Sequence, residues 1–292
     1  MTSLSVYPIR QRRKSKKMKK KSLLKQAAAY PHIVWSILFI IAPLIFVAYY
    51  AFTDKNGSFT MDNIAQMAEP SYLEVFLRSL CFAFLATIIC LIIAYPVAYF
   101  ISKTNPKTQK ILILLVTLPQ WLNFLIRTYS WMALLEDTGI INSLLMKIGI
   151  DPVHMINTPF AVILGMVYNF LPYMIIPLHS VMSKIDPKLL EAASDLGCNP
   201  FKVMTRVVMP LSKSGIISGI TMVFVPSIST FYISQKLGGG NFDLIGDTIE
   251  RQFQTAYNYN LGAAMSFVLM ILIIISMAIM NKYSDEDGGV VV

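Results

Sequence analysis

The stretch SKIDPKLLEAASDLGCNPFKVMTRVVMP, residues 183–210, separates two long apolar blocks, and it is patterned as helix rather than coil. Asp186 precedes Pro187: a side-chain acceptor at the N-cap, then a residue whose missing N–H costs nothing in a first turn. No breaker follows until Gly197, which supplies the left-handed residue that ends a helix. Asn199 and Pro200 repeat the start signal for a second short helix over residues 201–208, stopping at Pro210. Spacing places Leu189, Ala193 and Leu196 on one side of the first helix, and Glu191 and Asp195, four apart, on another. The small Ala192 and Ala193 would let a partner approach closely. Two readings stay open on these residues alone. The segment is either a rigid knob that receives a push from another protein, or a pair of helices lying on a membrane surface.

Outward from this loop the chain is oily. Of its 292 residues 55% are hydrophobic and 14% charged, where a soluble domain carries about a quarter charged. Crossing a bilayer takes about 20 apolar residues, and the backbone must then be helical because lipid offers no hydrogen-bonding partner. Six blocks meet this requirement, at residues 32–52, 76–101, 111–135, 160–182, 215–234 and 260–280. The fold class is therefore an all-α polytopic membrane protein with six transmembrane helices. Prolines stand in five of the blocks and are expected to kink them. The sixth block has no proline and few polar residues and is expected at the periphery.

Basic residues orient the chain. Ten Lys and Arg crowd between Arg10 and Lys25, and nineteen of the twenty-five fall on the side of the N-terminus, against four in the opposite loops. The positive-inside rule then puts both termini in the cytoplasm. Residues 1–30 read as a basic cytoplasmic tail, 31–282 as the transmembrane domain with its cytoplasmic loop at 183–213, and 283–292 as a C-terminal tail. The lipid bilayer is one partner. No nucleic acid is expected, since no binding module accompanies the basic run. The first block is too long for a signal-peptide core. Arg78 and Arg127 sit in outer parts of blocks, where they would snorkel to the interface; Arg127 could instead line a path.

Several function classes fall away. No Asp or Glu lies near the middle of a block, as an ion-coupled carrier would need. The phosphate-binding pattern G-x-x-x-x-G-K-[ST] does not occur, so any ATP hydrolysis belongs to another chain. No nucleophile, base and orienting group come together, so no catalytic residue is assigned and an enzyme is not expected. Three cysteines and three histidines are scattered without metal-ligand spacing. No metal or cofactor is expected.

Glu191-Ala192-Ala193, three residues, Gly197, nine residues, then Val207-x-Met209-Pro210 resembles the EAA loop, E-A-A-x3-G-x9-I-x-L-P, of binding-protein-dependent ABC importer permeases. Val207 and Met209 depart conservatively from it. Weaker similarities to the B-type permeases of spermidine/putrescine importers are Leu125 to Tyr129, Phe231 to Ser234, Leu244 to Gly246 and Leu261 to Ala264. The resemblance covers about residues 30 to 282. It implies a type I ABC importer permease-like fold in the cell membrane, and a coupling helix whose ATPase-coupling residues are Glu191, Ala192, Ala193, Gly197 and Phe201. It also implies ABC ATPase subunits, a second homologous permease subunit and an extracytoplasmic solute-binding protein as partners.

A polyamine is a flexible polycation, and its path should offer carboxylates and aromatic faces, since each cation–π contact adds about 0.5–2 kcal/mol. The outer segments hold ten acids against four bases, a field that would concentrate cations; the positive-inside bias alone would produce the same asymmetry. The candidate pathway residues are Trp121, Tyr129, Phe231, Tyr232, Gln235, Asp247 and Glu250. Permeases of this type often carry a carboxylate near the position of Gln235, and Asp247 or Glu250 could compensate for its neutral side chain here.

Overall fold

Proline decides where many of the helices begin. The computed structural model describes residues 30–285, so the basic run Arg10–Lys25 and the chain after 285 lie outside the described residues. Helices α1 (Tyr30–Ala51), α2 (Pro70–Ser102), α3 (Pro106–Thr117) and α4 (Phe124–Leu135) are followed by the short α5 (Ile140–Lys147) and by α6 (Pro159–Met182). Then come α7 (Pro187–Asp195), α8 (Pro200–Leu211), α9 (Lys213–Ser229), α10 (Tyr232–Leu237), α11 (Ile245–Gln254) and α12 (Tyr259–Asp285). Five of these start at a proline, where the absent N–H would have been unpaired anyway. Asn105, Thr158, Asp186 and Asn199 each accept a hydrogen bond from a first-turn N–H. Among the described residues there is no strand. Four helices are long and apolar enough to cross a membrane, and two bent pairs raise the number to six if each pair is one span.

Three expected elements differ from what is observed. The block at 111–135 is not one straight span: helical stretches Pro106–Trp121 and Phe124–Lys147 meet at 89°. Pro119 tightens the chain into a 3-10 turn, Leu122 is extended, and Asn123 accepts the Leu125 N–H to start α4 afresh. The block at 215–234 stops at Ser229. Pro226 deletes one hydrogen bond, while the hydroxyls of Ser227 and Ser229 bond back to the carbonyls of Val223 and Val225, competing with the ladder. The chain turns extended at Thr230 and resumes as α10. Finally, Pro210 does not stop the second loop helix. A π-helical turn at Met204–Val208 precedes it, so the ladder slips by one residue and α8 reaches Leu211.

Small residues make the central seam. Ala83, Ala86, Cys90, Ala94 and Ala98 recur every three or four residues along α2 and are fully buried, facing α6 and α9. Gly219 on α9 lies so near Met174 that an added Cβ would be 2.5 Å from its sulfur. Between membrane helices the gain comes from such close van der Waals packing, because lipid tails are as apolar as leucine. The most exposed span is α1, of which Ala51 is the one described buried residue. The sixth block is less peripheral than its composition suggests. Leu261, Ala263, Ala264 and Met265 are buried at the start of α12, and the Asn260 amide donates to the carbonyls of Tyr50 (3.2 Å) and Thr53 (2.6 Å).

Candidate functional site

Two places on this frame carry chemistry. The first is the loop α7–α8. Asp186 caps α7 by accepting the Lys188 N–H at 3.0 Å, Gly197 adopts φ +82°, and Asn199 caps α8 through the Lys202 N–H at 2.8 Å. The Cys198 N–H reaches back to the Ala193 carbonyl at 3.1 Å, closing the end of α7. The inner face is Leu190 and Ala193, which join Val203 and Val208 in the main core with Met182. The outer face is unexpectedly apolar. Leu196 is 87% exposed and Phe201 71%, and Leu189 stands out beside them. The side expected to hold Leu189, Ala193 and Leu196 together is therefore split: Ala193 points into the core, and the leucines point away from it. Glu191 and Ala192 are exposed, and Glu191 has no hydrogen-bond or ion-pair partner among the described residues. At the far end, Pro200–Leu211 and Lys213–Ser229 meet at 75°. Ser212 at that corner is fully buried, with its hydroxyl 3.2 Å from that of Tyr95 on α2. A buried hydrogen bond thus ties the arm to the central seam.

The second place surrounds the break after α9. Phe231 is exposed there, and the Gln235 amide on α10 donates to the Glu250 carboxylate on α11 at 3.1 Å. Although position 235 is neutral, a carboxylate therefore stands beside it. Phe231, Glu250, Ser229 and Ser266 line an open groove of about 410 Å³ whose other walls include Ile249, Leu269 and Ile273. Small-molecule pockets span about 300–1,000 Å³. Tyr129 on α4 meets Tyr232 edge-on, with ring centres 6.4 Å apart. Trp121 stands 75% exposed on its 3-10 turn and has no described contact with the others. Arg127 folds over the Phe124 ring, 5.8 Å from its centre.

Asp247 is in a different situation from Glu250. It is 4% exposed, one oxygen accepts the Leu244 N–H at 2.7 Å, and the other has no hydrogen-bond partner. It starts α11 rather than opening onto the groove. Burial pushes its carboxyl up from 3.8 to about 6, against the pull of Ser234 and the Leu244 N–H. Because the folded pKa is raised, ionisation destabilises the fold. Stability contributed here is greatest below about pH 4 and is lost as pH rises through about 6. Asp247→Asn keeps an acceptor for Leu244 and removes the charge. Its melting temperature in detergent is expected to exceed that of the unmodified chain at pH 7.5 by an amount worth roughly 2–3 kcal/mol, and to match it at pH 4. Equal differences at both pH values would contradict this.

The sequence pattern does not single out Ser212 or Lys236, and it does not separate the outward Leu196 from the buried Ala193. The signal for Lys236 was its i, i+4 spacing from Tyr232, which stacks two side chains on one helix face. The pairing of Gln235 with Glu250 depends on how α10 and α11 meet, which no local pattern encodes.

Residues 27–287 match the family described as binding-protein-dependent transport system inner membrane component. The chain is 41% identical over 246 residues to the spermidine/putrescine transport system permease protein PotB of Haemophilus influenzae, covering 82% of this chain and 86% of that one. It is 37% identical to PotB of Escherichia coli K12, covering 82% and 90%. In structure it is similar to a bacterial ABC transporter involved in import of the acidic polysaccharide alginate, with a TM-score of 0.78 over 94% of this chain at 19% identity. That likeness concerns the fold. An all-helical, multi-pass chain with a capped EAA-type loop and these relatives belongs to the binding-protein-dependent transport system inner membrane components.

Proposed function

We propose that this chain is the permease subunit of an ATP-driven importer that moves polyamines delivered by an extracytoplasmic binding protein. In this reading each bent pair is one span, giving six, with both termini and the α7–α8 loop in the cytoplasm, as the distribution of basic residues favours. A second homologous permease completes the pathway, and two ATPase subunits grip the loops. The observation that carries the reading is the loop itself: a doubly capped helix pair, fused to the core through Ala193, Val203 and Val208, yet presenting Leu196 and Phe201 outward. A rigid body of this kind transmits displacement. A pair lying on a membrane would not need Glu191 free beside those apolar tips. When the ATPase pair closes, the loop moves, and the α8–α9 corner at Ser212 carries that motion into the spans.

Polyamine as the solute is supported by the likeness to spermidine/putrescine permeases at 41% and 37% identity. The groove agrees chemically. Glu250 offers a carboxylate, Phe231 an aromatic face, and Ile249, Leu269 and Ile273 a lining that suits methylene spacers. The test is uptake into proteoliposomes by the assembled complex. Labelled spermidine should accumulate only with ATP, ATPase subunits and binding protein, and putrescine should compete while neutral sugars and amino acids do not. Gradient-driven uptake by the chain alone would overturn the ATP-driven reading. Preferential uptake of another solute would overturn the polyamine assignment.

A further inference from the structure

The ammonium of Lys236 lies 5.6 Å from the centre of the Tyr232 ring and 5.7 Å from that of Tyr129. The two rings stand at 85° to each other, so they form a corner with the ammonium against both walls. Phe124 backs the corner, 5.9 Å from Tyr232. Among the described residues Lys236 makes no ion pair; its ammonium faces the two rings and interacts with the Tyr129 hydroxyl at the edge of one of them. Tyr129 is exposed and Tyr232 half-buried, so the corner is open to the surface. Ring faces attract cations electrostatically and offer nothing comparable to anions or neutral polar solutes.

A lysine side chain is a short alkyl chain ending in a primary ammonium, and a polyamine ends the same way. We propose that the Tyr129–Tyr232 corner is a binding site for a substrate's terminal ammonium, and that Lys236 fills it as a tethered competitor. The inference rests on the polyamine reading above and deepens it. A site occupied by the chain's own lysine shows an affinity reduced by the fraction of time it is open. Lys236 therefore weakens substrate binding at this point, and its return to the corner helps expel the substrate onward. Gln235, next to Lys236 on α10, donates to the Glu250 carboxylate of α11 at 3.1 Å, and that carboxylate would hold a second ammonium of the same molecule.

The experiment is equilibrium binding of labelled spermidine to the assembled permease–ATPase complex without binding protein. Lys236→Met should bind spermidine about fivefold or more tightly than the unmodified complex, and Lys236→Arg, which refills the corner, should not. Removing a positive charge could tighten cation binding through the general field alone, so the same change is made in a Tyr232→Leu background. Competition for the ring corner predicts that the gain disappears there. A gain that persists without Tyr232, or no gain at all, overturns the proposal. Should the variants assemble poorly, the unmodified complex gives a second readout: its lysines are first 13C-methylated, which keeps their charge, and the reagent is removed before spermidine is added. The Lys236 methyl resonance, held upfield by the two ring faces, should move downfield at saturating spermidine, and an unmoved resonance overturns the proposal. An unmodified importer that takes up no spermidine sinks the polyamine reading itself, whereas normal uptake with unaltered Lys236→Met binding sinks only the tethered competitor.

Discussion

Phe201→Ala should weaken binding of the ATPase subunits by about thirtyfold or more and reduce ATP-dependent uptake in step, with no loss of folding stability. The ring is 71% exposed, so its removal leaves no cavity in this chain and withdraws no core contact. An aromatic side chain held outward on a capped helix is what a partner's pocket desolvates on docking. Truncating such an anchor costs about 2–4 kcal/mol of association, or at least thirtyfold in affinity. Its rigidity matters as much as its area. Asn199 fixes the start of α8 and Val203 buries the next turn, so little side-chain or loop ordering is left to oppose binding. Co-purification of ATPase subunits at graded concentration, with the melting temperature of the permease in detergent as control, separates the outcomes. Intact docking by Phe201→Ala would remove the loop from the coupling role. A drop in melting temperature with intact docking would mean the ring packs on its own chain instead.

The loop was legible in sequence because its signals are local. A cap, a proline and a left-handed glycine act within four residues, and the structure places all of them where Asp186, Pro187, Gly197, Asn199 and Pro200 predict. What local signals do not carry is the direction a helix faces. Leu189, Ala193 and Leu196 share spacing, but the core claims Ala193 through Val203 and Val208 and leaves the leucines outside. Hydropathy likewise found the block at 111–135 and missed its break. Apolar residues continue on both sides of Pro119, so the average hardly changes where the backbone turns by 89°. Pro96, by contrast, lies within α2 without ending it, so proline alone does not tell a kink from a break. The difference at residues 118–123 is the adjoining Asn123, which offers α4 a new start. At the groove, Glu250 and Phe231 are readable as residue types suited to a polycation, but Asp247 is indistinguishable from Glu250 until burial separates them.

Gly246→Ala is expected to do the most damage for the fewest atoms. Its position near the start of α11 brings that helix against the extended chain after α9. A Cβ there would lie 2.7 Å from the carbonyl oxygens of both Ser229 and Thr230. Both obstacles are backbone, so no rotamer change relieves the contact, and the segments must separate. That movement would strain two other ties at the same junction: the Ile245 N–H donating to Ser79 on α2 at 2.7 Å, and the Leu244 N–H held by Asp247. Ile245 and Ile228 also share a small core with Ala83 and Leu269, which the same shift would open. Overpacking costs about 1–3 kcal/mol where side chains yield, and here, with buried hydrogen bonds at stake as well, about 3 kcal/mol or more is expected. The melting temperature in detergent should fall accordingly. Spermidine uptake should fall further than the folded fraction does, because Ser229 and Gly246 themselves border the groove that holds Phe231 and Glu250. A compensating change that shortens the opposing side, Thr230→Gly, cannot restore the variant, since the clash is with the main chain rather than with the threonine side chain. Rescue by Thr230→Gly would show that the close approach at Gly246 is not the constraint that fixes this junction.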